Sequence, residues 1–449
     1  MGLAHVTSAT QTGAPSLHRT LGMKDLIAYG LAYIAPMAPL TTFGFVWDAS
    51  GGLIALAYLL GAICMYFTAQ SYATMSAKVP CSGSVYGFAR YSLGELPGFI
   101  AGWLILLDYL LIPALVFLVM AVGLQTLMPG LDRATCLAGL VVISLAVNWL
   151  GVAVTTRVSL VSVVVQFVVM LALIALALQA LSDGKGMGEL TLAPLYDASQ
   201  FDPAKIFTAT SICVLSFLGF DAISTLSEEV RSDDRRMIGR AIFSVLVICT
   251  LLFVGTTWVL GNLMSGLEIT DSSSAIYQLL SVQISPFSAL AVAWLIALMA
   301  GFTNVLPMQV GVSRILFAMG RDRQLPGLLA RLHPKSGTPH VALLFSTLIS
   351  LAVAVAMRDN IDTLVSFVNF GALSAFALLH VSVLVKFAFK ERSGQVFVHW
   401  IVPIVGIAVV LMVLHGMDRT ALEIGGLWLL MGCLYGLYLR KKGRAALEV

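Results

Sequence analysis

A chain of 449 residues that is 59% hydrophobic and only 11% charged falls far below the roughly one-quarter charged residues of a soluble domain, so most of it belongs in lipid. Its net charge of +3 is too small to favour nucleic acid as a partner, and its six scattered cysteines show no paired metal spacing. Mean hydropathy is +0.94.

Residues 1–20 are rich in Ser, Thr and Gly, lack the apolar core of a signal peptide and are expected to form a flexible cytoplasmic tail. A membrane-spanning helix needs about 20 mostly apolar residues. Twelve stretches meet that need: 24–48, 51–76, 97–128, 134–154, 158–182, 204–226, 238–264, 286–318, 339–357, 361–389, 398–416 and 420–439. No strand alternation is visible, and lipid forces the backbone to satisfy its own hydrogen bonds, so helices are predicted. With the N-terminus in the cytoplasm, 21 of the 26 Lys and Arg fall on the inner side and five on the outer. That asymmetry places both termini inside.

The first span is interrupted by Pro36 and Pro39, the sixth by Gly219 beside Asp221. A carboxylate at mid-membrane costs about 2.5–3.5 kcal/mol on the mildest scale, and glycine weakens the helix that carries it. Five spans separate the two breaks, and an odd offset inverts the second unit. The expected organisation is a first repeat at 21–182, an inverted second repeat at 204–390, two further helices at 398–440 and a tail at 441–449. The last two helices are expected to serve as scaffold or in assembly, as monomer or homodimer. Two parallel six-helix halves would call for a long central loop, and the linker after the sixth span is short.

Gly219-Phe220-Asp221-Ala222-Ile223-Ser224, with Ser227-Glu228-Glu229 after it, resembles helix 6 of the amino acid–polyamine–organocation (APC) transporters. Gly311-Val312-Ser313-Arg314, Met319-Gly320-Arg321-Asp322 and His333-Pro334-Lys335 with Thr338-Pro339 resemble their helix 8 and the loop after it. Pro80-Cys81-Ser82-Gly83-Ser84-Val85-Tyr86 resembles the loop after helix 2. Within the superfamily, Tyr33-Ile34-Ala35-Pro36-Met37, Leu107-Asp108-Tyr109 and Val368-Asn369-Phe370-Gly371-Ala372 are similar to bacterial putrescine importers. The resemblance implies an all-α polytopic inner-membrane protein of twelve transmembrane helices, with the inverted five-plus-five (LeuT-like) repeat and helices 1 and 6 broken at mid-membrane.

Amino acid carriers of that superfamily hold the substrate carboxylate on bare amides at a glycine-rich break in helix 1. Here the break is Ala35-Pro36-Met37-Ala38-Pro39. Each proline removes a donor, so the anion cradle is blunted while freed carbonyls stay available to an ammonium group. Asp108, deep in the third span with no Lys or Arg beside it, is a candidate for amine binding and for carrying a coupling proton. Tyr109 offers a ring face for a cation. Asp221 is equally a cap and a contact, Phe220 a gate or core residue, and Gly219, Tyr33, Pro36 and Met37 complete the predicted substrate site. Glu228 and Glu229, with Arg314 and the arginines at 231, 235 and 236, are candidates for an inner gate. Thr303 and Asn304 occupy places where sodium-coupled relatives put cation ligands, and His380 is the other mid-membrane titratable group.

No metal, phosphate loop or catalytic constellation is expected, and no cofactor beyond a coupling proton. The leading reading is a proton-coupled importer of a small organic amine such as putrescine. An amino acid permease and a membrane sensor without flux are the alternatives.

Overall fold

The computed structural model describes residues 21–443, apart from 80, 82, 128–129, 131, 150–151, 232–233, 235, 270, 273, 334–336, 359, 418 and 442. The expected tail at 1–20, Pro80, Ser82, Arg235, Pro334 and Lys335 therefore lie outside the described residues. So do the side chain of Thr303 and most of the C-terminal tail.

Among the described residues sixteen α-helices follow one another: α1 (Met23–Ile34), α2 (Ala38–Ser50), α3 (Ile54–Lys78), α4 (Val85–Leu93), α5 (Glu95–Leu127), α6 (Arg133–Trp149), α7 (Val152–Ser182) and α8 (Pro203–Phe217) in the first half. The second half holds α9 (Met237–Leu263), α10 (Ala275–Gln283), α11 (Pro286–Trp294), α12 (Gly301–Arg321), α13 (His340–Ala356), α14 (Ile361–Val383), α15 (Val402–His415) and α16 (Arg419–Lys441). A 3₁₀ helix, Asp221–Glu229, continues α8 beyond its break, and a π-helical turn, Leu295–Ala300, joins α11 to α12. Among the described residues there is no strand, only an isolated bridge between Leu21 and Val230.

Among the described residues, eight helices are long and apolar enough to cross a membrane, and α1 with α2 make a ninth if the bent pair is one span, against the twelve spans predicted. Thr135–Ala146, Pro286–Ala297 and His340–Ala356 are apolar but shorter. Chain composition and helix length together define a multi-pass membrane protein.

Several elements depart from the predicted ones. α10 lies between the seventh and eighth predicted spans, in a stretch read as linker, and α7 begins at Val152, inside the predicted fourth span. Residues 85–86, read as loop, begin α4, an amphipathic helix that lays Val85, Tyr86, Phe88 and Ala89 inward. The second half of the sixth span is a 3₁₀ helix rather than an α-helix, because the carboxylate of Asp221 engages the amide of Gly219 and tightens the turn.

The outer elements α15 and α16 clasp the bundle. Trp103 of α5 and Trp428 of α16 stack with ring centroids 4.5 Å apart. Each indole donates to the other's backbone carbonyl, at 2.9 and 3.0 Å. Gly432 leaves room for the Trp103 ring, which a Cβ would meet at 2.3 Å. His380 is buried between α14 and α3, with Nδ1 2.8 Å from the Ser71 hydroxyl and Nε2 3.4 Å from that of Thr68. Both ring nitrogens are engaged in packing.

Trp428→Ala should lower stability by roughly 2 kcal/mol, from a lost aromatic pair and the lost bond of the Trp428 indole to the Trp103 carbonyl. Thermal unfolding in detergent measures it, and an unchanged midpoint would remove the clasp from the fold's energetics.

Candidate functional site

The first break follows from proline. Pro36 carries no amide hydrogen, so the carbonyl of Ala32 loses its partner one turn on. The chain answers by putting Ala35 at φ 67°, a left-handed conformation unusual for a residue with a Cβ. α1 and α2 meet at a bend of 42°. Of the four residues 36–39, two prolines have no donor, and the Ala38 amide donates to the Ala35 carbonyl at 2.9 Å. Only the Met37 amide is left without a partner.

The second break sits against the first. Gly219 has φ 121°, and a Cβ there would lie 2.3 Å from Cδ1 of Tyr33. Glycine is required both for the backbone and for the approach of α1. The two half-spans pair like with like: α2 packs on α8, and α1 packs on the 3₁₀ helix.

Asp221 is the hub of this junction. Its carboxylate accepts the Gly219 amide at 3.1 Å, the Tyr109 hydroxyl at 2.7 Å and, at the limit of bonding, the Tyr72 hydroxyl at 3.5 Å. The residue is 1% exposed. Of its two predicted roles, capping and orienting the unwound segment accounts for the bonds observed. Tyr109 spends its hydroxyl on Asp221, so its ring face is what remains, and that face leans on Tyr33 at 5.9 Å between centroids. Phe220 is fully buried against Tyr72 and Phe376.

Asp108 differs from Asp221. It is also 1% exposed, but its Oδ1 has no hydrogen-bond partner. An unpaired buried carboxyl oxygen is costly, because it has given up water for nothing. Gly371 of α14 lies against it, close enough that a Cβ would come within 2.8 Å of the Asp108 amide nitrogen. The hydroxyl of Tyr33 is buried and unpartnered as well.

On the side of the breaks away from both described ends of the chain lies a cavity of about 110 Å³. Of the residues assigned to the substrate site from sequence, Tyr33 and Met37 line it. Asp108, Tyr109, Gly219, Phe220, Asp221 and Pro36 do not; Tyr109 and Gly219 pack against Tyr33. The wall from α5 is Ile112, Leu115, Val116 and Val119. These recur at helical spacing from Asp108, a stripe that the sequence contained and that went unread. Thr41, Thr42, Ser216 and Asn304 supply polar groups, and the Asn304 Oδ1 has no partner. Thr42, Tyr58 and Ser216 close a hydroxyl triangle with edges of 2.7, 3.2 and 3.1 Å that ties α2, α3 and α8 together.

The opposite side carries a layer of ion pairs. Arg314 grips Glu229 through two nitrogens at 2.5 and 3.0 Å, with side chains 4% and 10% exposed. Arg321 reaches both carboxylate oxygens of Glu228 at 3.2 and 3.3 Å. Asp322 receives Arg90 and, at 2.6 Å, the Tyr86 hydroxyl. The predicted gate residues Glu228, Glu229 and Arg314 therefore meet one another's elements. The arginine that binds Glu229 comes from α12, 85 residues on, rather than from the neighbouring run at 231–236. Leu21 seals the layer through backbone bonds to Glu229 and Arg231, each 3.0 Å.

Two broken helices packed back to back, a cavity on one side and an ion-pair layer on the other match the way transporters place a substrate site between interrupted spans. The family model described as amino acid permease matches residues 26–417, and the chain belongs to that family, within the APC superfamily. It is 27% identical to the low-affinity putrescine importer PlaP of Escherichia coli (strain K12) over 94% of both chains. It is 30% identical to the branched-chain amino acid permease BcaP of Bacillus subtilis (strain 168), over 97% of this chain and 96% of the relative. A methylthioribose transporter of the same bacterium is 27% identical over the same shares. Family and relatives are transporters and not enzymes.

Glu229→Gln strands the buried Arg314 guanidinium and should cost about 3–5 kcal/mol, of which pairing it with Arg314→Gln recovers a large part. A double-mutant cycle on thermal unfolding reads this coupling, and strictly additive losses would count against a closed pair.

Proposed function

We propose that the protein imports a small organic amine, putrescine or a related di- or monoamine, by alternating access coupled to protons. The observation that carries this reading is Asp108 Oδ1, an unpaired carboxyl oxygen buried beside the two helix breaks. A bound ammonium would satisfy it, and the carbonyl of Ala32, deprived of its donor by Pro36, is a second acceptor for the same cation. The break in helix 1 supports the choice of charge. Its supply of free amides is reduced to that of Met37, too few to cradle a carboxylate as a half-helix N-terminus does.

In this reading Tyr33 is the floor of the cavity and the step between it and Asp108. The ammonium enters from the cavity, displaces the Tyr33 ring from above and settles against Asp108, with the Tyr109 face alongside. Asp221 stays a structural hub. Asp108, whose Oδ1 has no bonded partner, is also the candidate carrier of the coupling proton. With the basic residues inside, the cavity faces outward and the ion pairs of Glu228, Glu229 and Arg314 form the closed inner gate. Residues 21–182 and 204–390 then act as the two inverted repeats, and both termini lie in the cytoplasm of a bacterial inner-membrane protein.

A second reading is favoured by two specific observations. The cavity wall is largely aliphatic, and the branched-chain amino acid permease is a relative at 30% identity. An amino acid with an apolar side chain would place that side chain among Ile112, Leu115 and Val116.

In proteoliposomes loaded at neutral pH, putrescine should compete for uptake more strongly than its carboxylated parent ornithine or than leucine. Tighter competition by either amino acid would establish the permease reading instead. Asp108→Asn should abolish uptake and its stimulation by an inward proton gradient, while size-exclusion profile and unfolding midpoint stay near those of the parent. Near-normal uptake would move Asp108 to the structural residues.

A further inference from the structure

A cavity of about 440 Å³ lies at the end of the bundle that carries both described ends of the chain, where the start of α5, the end of α16 and the loop after α12 meet. It is separate from the transport path. Arg323 and Arg440 line it, both exposed, and neither guanidinium has a partner among the described residues. The one carboxylate in the wall, Glu95, is engaged by Arg90 at 3.0 and 3.3 Å. Gln324 lines the same cavity; it is 4% exposed, and its Oε1 has no hydrogen-bond partner. Leu96, Phe99 and Leu439 form a greasy flank that runs on into the apolar spans of α5 and α16.

The backbone adds a further peculiarity. α12 ends with the Gln324 amide on the Met319 carbonyl at 2.9 Å and the Arg323 amide on that of Gly320 at 3.1 Å. This is the Schellman pattern, whose left-handed position normally belongs to glycine. Here Arg323 occupies it, with φ 59°. An arginine held in glycine's place is a cost that the cap itself does not need.

We propose that this cavity binds the headgroup of an anionic phospholipid. Two free guanidinium groups suit a phosphodiester, which accepts from planar donors at more than one oxygen. The unpaired Gln324 oxygen asks for a donor beyond the phosphate, which the glycerol hydroxyls of phosphatidylglycerol supply. The flank of Leu96, Phe99 and Leu439 receives the start of an acyl chain. The position, at the ends of two spans on the arginine-rich side, is where such headgroups lie. Arg323 and Gln324 follow Asp322 directly, so an occupied pocket braces the end of α12 next to the ion-pair layer.

The test is native mass spectrometry of the delipidated full-length protein titrated with phosphatidylglycerol, phosphatidylcholine, phosphatidylmethanol and the soluble headgroup glycerophosphoglycerol. One phosphatidylglycerol should bind in preference to phosphatidylcholine, and R323Q/R440Q should weaken that event about tenfold. Gln324→Leu should narrow the gap between phosphatidylglycerol and phosphatidylmethanol, whose headgroup has no donor. Arg323→Gly separates binding from folding: relief of the left-handed backbone should raise the unfolding midpoint while lipid binding falls. Unchanged phosphatidylglycerol binding in R323Q/R440Q, or equal binding in Arg323→Gly, would overturn the site. Glycerophosphoglycerol binding as tightly as the intact lipid would overturn the lipid as its occupant.

Discussion

A backbone that unwinds inside hydrocarbon frees amides and carbonyls that no lipid can satisfy, and that constraint governs the centre of this protein. At the sixth span the freed Gly219 amide is met by Asp221, which is held in turn by the Tyr109 and Tyr72 hydroxyls. At the first span Pro36 removes the problem amide outright and leaves an acceptor, the Ala32 carbonyl, in its place. Gly219 lets Tyr33 of the first break pack directly against the second. A mid-membrane carboxylate at Asp221 is thus accounted for by the backbone it repairs. Asp108 repairs nothing, and its idle oxygen is what separates the two acids.

The junction also divides the molecule into two differently built ends. On one side, hydroxyls of Thr42, Tyr58 and Ser216 hold α2, α3 and α8 around a small apolar cavity. On the other, Glu229, Glu228 and Asp322 are bound by Arg314, Arg321 and Arg90. Buried ion pairs offer little net stability against a hydrophobic alternative, but lose heavily when one partner is withdrawn. That imbalance suits a contact that must be either whole or fully hydrated. An aliphatic seal in the same place would have no wet state to open into.

Much of this was legible before the structure. Pro36, Pro39 and Gly219 break helices for reasons of backbone chemistry alone, and the length of the apolar runs with the lipid constraint gave an all-helical membrane protein, of whose twelve expected spans eight, or nine with the bent pair, are long and apolar enough to cross. Glu228, Glu229 and Arg314 were singled out as charges with a shared purpose. Their pairing was not legible, because Arg314 reaches Glu229 across 85 positions of sequence and no local pattern encodes such a contact. The bonding of Asp221 to Tyr109 and Tyr72 was hidden for the same reason. The cavity wall at Ile112, Leu115, Val116 and Val119 was open to view as a stripe rising from Asp108, yet aliphatic residues in a membrane span carry no mark that separates lipid-facing from cavity-facing. The short α4 was masked by turn residues at its start.

Relatives named for a diamine, branched-chain amino acids and a thiosugar are similar to this chain over nearly all of its length, so likeness at this level does not select the cargo. In the proposed reading, selection rests on the few groups left unpaired around the breaks, and these favour positive charge. The most direct measurement is a cryo-electron microscopy structure of the protein with putrescine. Ammonium density within hydrogen-bonding distance of Asp108 Oδ1, and none on the Met37 amide, is the predicted result. An acid group of a co-purified or added amino acid docked on the Met37 amide, with Asp108 untouched, would contradict it.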